Sequence, residues 1–178
     1  MSIHSHSDHA YTHPDYDLES YEKTTELLVE LAQSVDDNSG AAGTRKQVDP
    51  IKQLLVTAYG FGTLPHDESL LINVQPDLPS DGAYTLTVRD VPVDGFWSLA
   101  VYNKEGYFAA NPQSVYGYSD RTATRNADGS ITLHFGGDPA SLYYTPLPAG
   151  WNYVIRLYRP RQELLDGRWV FPGVRPIE

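Results

Sequence analysis

The sequence predicts a mainly β protein, an antiparallel β-sandwich preceded by two helices. Two observations carry that expectation. Up to residue 60 apolar residues recur at helical spacing, whereas beyond it the period changes to two, in short β-rich runs separated by Pro, Gly and Asp. At 178 residues the chain has room for one domain with a sizeable core. Three segments are expected: a disordered His-rich arm over 1–15, a helical segment over 16–60 and a β-sandwich over 61–178.

The arm is polar and without periodicity. His4-Ser5-His6-Ser7-Asp8-His9 spells H-x-H-x-D-H, a pattern used by dinuclear metallohydrolases. In those sites buried strands hold the imidazoles, and here only three residues precede the motif, so no metal site is assigned. A helix is predicted over 17–35, from Asp17 to Val35, with Leu27, Leu28, Leu31 and Val35 on one stripe and glutamates elsewhere. Asp49-Pro50 places a capping carboxylate before a proline suited to a first helical turn. A second helix follows to Gly60, with Ile51, Leu54, Leu55 and Ala58 expected inward.

Strands are predicted over 70–74, 84–88, 95–102, 131–135 and 151–158. Lys104-Glu105-Gly106 and Ala127-Asp128-Gly129 supply turn residues that tolerate positive φ, and each is expected to join two antiparallel strands. Alternation then sorts side chains by face. Trp151, Tyr153, Ile155 and Leu157 point one way and Asn152, Val154, Arg156 and Tyr158 the other. Trp97, Leu99 and Val101 oppose Phe96, Ser98, Ala100 and Tyr102.

With 23 acidic against 13 basic residues the formal charge is −10, which opposes attraction to nucleic acid or an anionic membrane. The absence of cysteine removes disulfides, thiolate nucleophiles and zinc-thiolate sites. No apolar run has the length of a signal-peptide core or a membrane span, so a cytoplasmic protein is expected. No cofactor is called for, since no Gly-rich phosphate loop precedes a helix and no G-x-S-x-G elbow occurs.

Arg156 must either pair with a carboxylate such as Asp166 or face a ligand, because burying a lone guanidinium is costly. Arg159, beside Pro160, is the weaker ligand candidate. Asn152, Ser98, Tyr102 and Tyr158 share the face of Arg156 and complete the expected ligand-binding set. His134 opposes Leu133 and Phe135 in its strand and could act as a general base if Asp138 oriented it, with Tyr102 as a further acid–base candidate. His66, in a Pro-His-Asp loop, is a lesser one. The load of 13 Tyr, 3 Trp and 5 Phe suits both a sandwich core and a sugar-binding rim. Tyr102, Tyr107, Tyr116, Tyr118, Tyr143 and Tyr144 are the rim candidates.

The segments GFWSLAVYNKEGYF (95–108), NADGSITLHFGG (126–137) and GWNYVIRLYRPRQELLDGRWVFP (150–172) follow one another. In these the chain resembles the family called domain of unknown function 1214 (DUF 1214), in single-domain form. One departure is the run Tyr143-Tyr144-Thr145-Pro146-Leu147-Pro148, where related sequences tend to carry Asn before the LP. The resemblance implies a jelly-roll-like β-sandwich similar to glycan-acting folds; it implies no activity.

The expected function is binding of a small polar or glycan-like ligand on one sheet face. The alternative is a cofactor-independent hydrolase, lyase or isomerase of a pathway-specific small molecule. A third reading is an interaction module, possible as a homo-oligomer through the 17–35 helix. Neither nucleic acid nor membrane is an expected partner.

Overall fold

The computed structural model describes residues 15–32, 34, 39–60 and 63–177. The chain divides into two compact units, Met1–Thr63 and Leu64–Glu178. The His-rich motif and Val35 lie outside the described residues.

The first unit contains α1 (Leu18–Ala32) and α2 (Pro50–Gly60), which pack on one another. Asp17 caps α1 through its side chain, accepting the Ser20 amide at 3.1 Å. Asp49 does the same for α2, accepting from Ile51 at 2.8 Å and Lys52 at 3.3 Å. These carboxylates satisfy amides that an isolated helix start leaves without partners. On α1 the half-buried residues are Thr25, Leu28, Val29 and Ala32, whereas Leu27 and Leu31 are 57% and 53% exposed. On α2 Leu55 and Val56 are buried, but Ile51 and Leu54, expected inward, are exposed. One helix laid against one other covers only a narrow strip of each, so the flanking apolar positions stay open.

Leu31→Asp is accordingly expected to cost only about 0.5–1 kcal/mol, from a negative charge in the last turn of a helix. That is below the roughly 1.5–3 kcal/mol of a buried leucine. A fall of only a few degrees in melting temperature should result. A much larger fall, or a change in sedimentation, would show this face to be covered by a second copy in solution.

The second unit is built of β1 (Ser69–Val74), β2 (Ala83–Val88), β3 (Trp97–Tyr102), β4 (Gly117–Ser119), β5 (Ile131–Gly136), β6 (Tyr144–Thr145), β7 (Asn152–Tyr158) and β8 (Arg175–Pro176). A short helix, α3 (Gln162–Leu165), precedes β8. The strands form two sheets, ordered β1-β7-β3-β4 and β6-β5-β2-β8. All pairings are antiparallel except β5 with β6, which is parallel.

Both sheets feed one core. Tyr84, Leu86, Val88, Ile131, Leu133 and Phe135 from one sheet join Trp97, Leu99, Val101, Tyr153, Ile155 and Leu157 from the other in a single buried cluster. The alternation read from the sequence appears as the burial pattern of β3 and β7, where every second residue is buried and the intervening ones are half-buried.

One turn behaves differently from its sequence-based expectation. The Asn126–Gly129 turn closes locally, Gly129 N–H to the Asn126 carbonyl at 2.9 Å and Asn126 N–H to the Ser130 carbonyl at 2.7 Å. Yet β4 before it pairs with β3, and β5 after it pairs with β2 in the other sheet. Turn chemistry sets local dihedrals and does not decide which sheet receives the next strand.

Candidate functional site

The face of the β1-β7-β3-β4 sheet that turns away from the core carries the candidate site. Antiparallel pairing sets Ser98 beside Arg156, Tyr102 beside Asn152 and Leu71 beside Arg156 on its other flank. Ser98 in turn neighbours Ser119 of β4. Side chains directly opposite in adjacent strands project to the same side, so residues far apart in sequence meet on one surface.

Arg156 donates from Nη2 to the Tyr102 hydroxyl at 2.7 Å, with its guanidinium carbon 5.8 Å from the Tyr102 ring centre. Among the described residues no carboxylate pairs with it. Asp166, the counter-ion considered from sequence, is held instead by Arg168 at 2.8 Å. Local geometry explains the difference, because Arg168 lies two residues from Asp166 and takes both its oxygens, one through the backbone N–H and one through Nε. Arg159 is exposed, with φ 54.

Tyr102 begins an aromatic stack. Phe108 lies on it at 4.7 Å between ring centres with planes 11° apart, and Tyr116 follows at 4.7 Å and 30°. The turn after β3 makes this possible. Gly106 N–H donates to the Asn103 carbonyl at 2.9 Å, and the Asn103 side chain accepts the Tyr107 amide at 2.8 Å, which brings the chain back so that Phe108 covers Tyr102. Asn152 fixes the same turn, donating to the Asn103 carbonyl at 2.7 Å. Its side chain is therefore a support of the loop. Tyr158 stacks on Phe96 at 4.4 Å.

Beside this stack a shallow cleft of about 480 Å3 runs along β3 and β4, lined among others by Ser98, Ala100, Tyr116, Gly117, Ser119 and Thr122. Where the cleft meets the core, the Tyr118 hydroxyl donates to the Tyr144 carbonyl at 2.9 Å, joining the edges of the two sheets. Its ring meets Tyr143 edge-on at 5.2 Å. Burial first, and then the Tyr143 charge, push the Tyr118 hydroxyl above its ordinary pKa. Hydrogen bonding to Thr124 draws Tyr143 below its own.

The acid–base candidates do not assemble. His134 Nδ1 lies 2.6 Å from the Leu142 carbonyl, and Asp138 accepts the Ala140 amide in its own turn. A carbonyl can only accept, so Nδ1 carries a proton there and Asp138 does not orient the ring. Tyr102 stands on β3 of one sheet and His134 on β5 of the other. His66 lies in the turn before β1 without a carboxylate partner among the described residues. Of the six tyrosines considered for a rim, Tyr102 and Tyr116 join the stack, Tyr107 lies outside it, Tyr118 and Tyr143 pack against the core, and Tyr144 is half-buried on β6. Phe108 and Ser119 were not singled out from sequence. The only signal for Phe108 was an aromatic pair directly after a turn, and a three-residue strand is too short to show alternation.

A family model described as a protein of unknown function (DUF1214) matches residues 73–162, half of the chain. The chain belongs to the DUF 1214 family. The match takes in β2 to β7 and thus Ser98, Tyr102, Asn152, Arg156 and Tyr158, and it ends at the first residue of α3. Among solved structures, the VPA0106 protein from Vibrio parahaemolyticus is similar with a TM-score of 0.70 and 22% identity, over 93% of this chain and 47% of that one. An uncharacterized protein from Burkholderia cenocepacia gives a TM-score of 0.51 and 20% identity, over 71% of this chain and 33% of that one. The chain thus spans less than half the length of either, and at such identities the likeness concerns the fold. No match is found among curated proteins. For this DUF 1214 domain the residues themselves must supply the functional argument.

Proposed function

We propose that this domain binds a small polar or glycan-like ligand on the outer face of the β1-β7-β3-β4 sheet, and that the two sheets are the layers of a jelly-roll-like sandwich. The observation that carries the reading is Arg156, half-buried, without a carboxylate partner among the described residues and anchored to Tyr102 at the head of an aromatic stack. A guanidinium has five N–H donors in a fixed fork, and the bond to Tyr102 orients the fork while using one of them. Flat aromatic faces accept the C–H face of a sugar ring, and the Ser98 hydroxyl stands one strand from Arg156 for its polar edge. Among the described residues no histidine or carboxylate is hydrogen-bonded to Tyr102 or Arg156, which favours binding over catalysis.

Arg156→Met keeps the stem and removes the fork. With no ion pair to strand, the variant is expected to melt within a few degrees of the wild type. It should lose about ten- to a hundredfold in affinity, the worth of hydrogen bonds to a charged group. Calorimetric titration with neutral sugars, uronic acids and small carboxylates checks both statements. A destabilised variant that retained full affinity would place Arg156 in the framework and remove the reading.

A further inference from the structure

A second cavity, of about 500 Å3, opens where the last residue of β2, the first of β3 and the first of β5 come together. Its apolar floor is Val88, Val91, Val93, Trp97 and Ile131, and charged side chains reach it from three separate connections: Arg89 and Asp90, Asp120 and Arg125, and Arg161. A recess with a buried apolar floor beneath a mainly polar rim suits a small molecule that carries both kinds of group.

The charges divide into satisfied and open ones. Arg161 is bound to Asp94 at 2.8 Å, and Arg89 lies 3.4 Å from Asp90. Asp120 and Arg125 line the same cavity, carry opposite charge, and pair neither with each other nor with any other charged side chain among the described residues. Asp120 accepts only the Trp97 amide, at 3.3 Å through Oδ1, and Arg125 donates only to the Gly129 carbonyl, at 3.1 Å through Nη1. Two opposite, unpaired charges facing one recess are complementary to a molecule that carries both charges itself.

We infer that this cavity binds a small zwitterion with an apolar body, an α-amino acid or short peptide. Its carboxylate lies on Arg125, its ammonium on Asp120, and its apolar part on the floor of valines and Trp97. A phosphate dianion fits less well: of the three lining arginines, Arg89 and Arg161 are engaged by Asp90 and Asp94, and Asp120 stands at the same recess as the one open guanidinium. A neutral sugar would leave both open charges unmatched. The site is separate from the Arg156 face, since the two share no lining residue.

Calorimetric titration of the full chain with L-leucine, leucinamide, N-acetyl-L-leucine and L-leucyl-L-leucine tests the inference. Leucinamide lacks the carboxylate and N-acetylleucine the ammonium, so each is expected to bind about ten- to a hundredfold more weakly than the intact zwitterion. Arg125→Gln should abolish the preference over leucinamide and Asp120→Asn the preference over N-acetylleucine, the latter while keeping an acceptor for the Trp97 amide. Arg156→Met should change neither preference. Binding of the dipeptide without leucine would assign the site to peptides, and the reverse to free amino acids. Failure of both zwitterions to bind at millimolar concentration, equal affinity for all four, or preferences that persist in both variants would overturn it. The wild-type comparison decides even if a variant fails to fold.

Discussion

Trp151→Ala is expected to be among the most destabilising single changes in the β unit, costing about 3–5 kcal/mol, as large-to-small substitutions of buried aromatics do. The indole is 3% exposed and lies immediately before β7. Its ring faces Tyr84 at 5.7 Å and Phe135 at 6.1 Å, both on the β6-β5-β2-β8 sheet, and Tyr153 at 6.0 Å on its own. One side chain therefore touches residues of both sheets, and neighbours anchored in two different sheets collapse poorly into the space it leaves. Its N–H also donates to the Leu78 carbonyl at 2.9 Å, which the substitution strands. For a unit of this size the loss corresponds to roughly 10–20 °C in melting temperature. Trp151→Phe separates the two contributions, retaining most of the ring contact and losing the hydrogen bond, at about 1 kcal/mol for the latter. If Trp151→Ala melted within a few degrees of the wild type, the shared core would not be the cooperative unit described.

The aromatic core was legible in the sequence because it rests on alternation, and alternation survives translation into structure when a strand is long enough. The six and seven residues of β3 and β7 show it plainly. The strands β4, β6 and β8, of two or three residues, cannot, and they are defined by the neighbours that complete their hydrogen bonds. The helices illustrate a different limit. The cap at Asp49 is local and was readable, whereas the inward face of α2 was not, because Ile51 and Leu54 are equally apolar wherever the partner helix lies.

The candidate site divides along the same line. That Arg156, Asn152 and Tyr158 share a face follows from period two alone. That Arg156 meets Tyr102, 54 residues away in sequence, follows from the pairing of β3 with β7, which no local pattern announces. Nor does composition say which acid an arginine selects. Asp166 went to Arg168 because a single residue separates them, and Asp94 went to Arg161 across a loop pairing in which Val93 bridges Pro160. The open charges that remain, on Arg156 at one site and on Asp120 and Arg125 at the other, emerge only after these assignments are made.

Gly117→Ala should disrupt the β3–β4 edge and with it the cleft beside Arg156. Gly117 has φ 156, and a Cβ there would collide with the Leu99 carbonyl oxygen and crowd Ala100 of the paired strand. Backbone strain of about 1–3 kcal/mol adds to an overpacking cost of about 1–3 kcal/mol, so a loss of about 2–6 kcal/mol is expected. The damage should be local before it is global. The Val101 amide bonds to the Tyr116 carbonyl at 2.7 Å at this edge, and Tyr118 ties β4 to Tyr144 of the other sheet. Hydrogen exchange at Val101 should accelerate, and ligands of the Arg156 face should bind more weakly, while the Asp120–Arg125 cavity, which Gly117 does not line, should keep its selectivity. Gly106→Ala is the matched control. That glycine also has positive φ, 83, but open space around its added Cβ, so it should cost only the backbone share of about 1–2 kcal/mol. Equal losses in the two variants would mean that close approach of β4 to β3 contributes nothing, and that the edge strand is not what shapes the cleft.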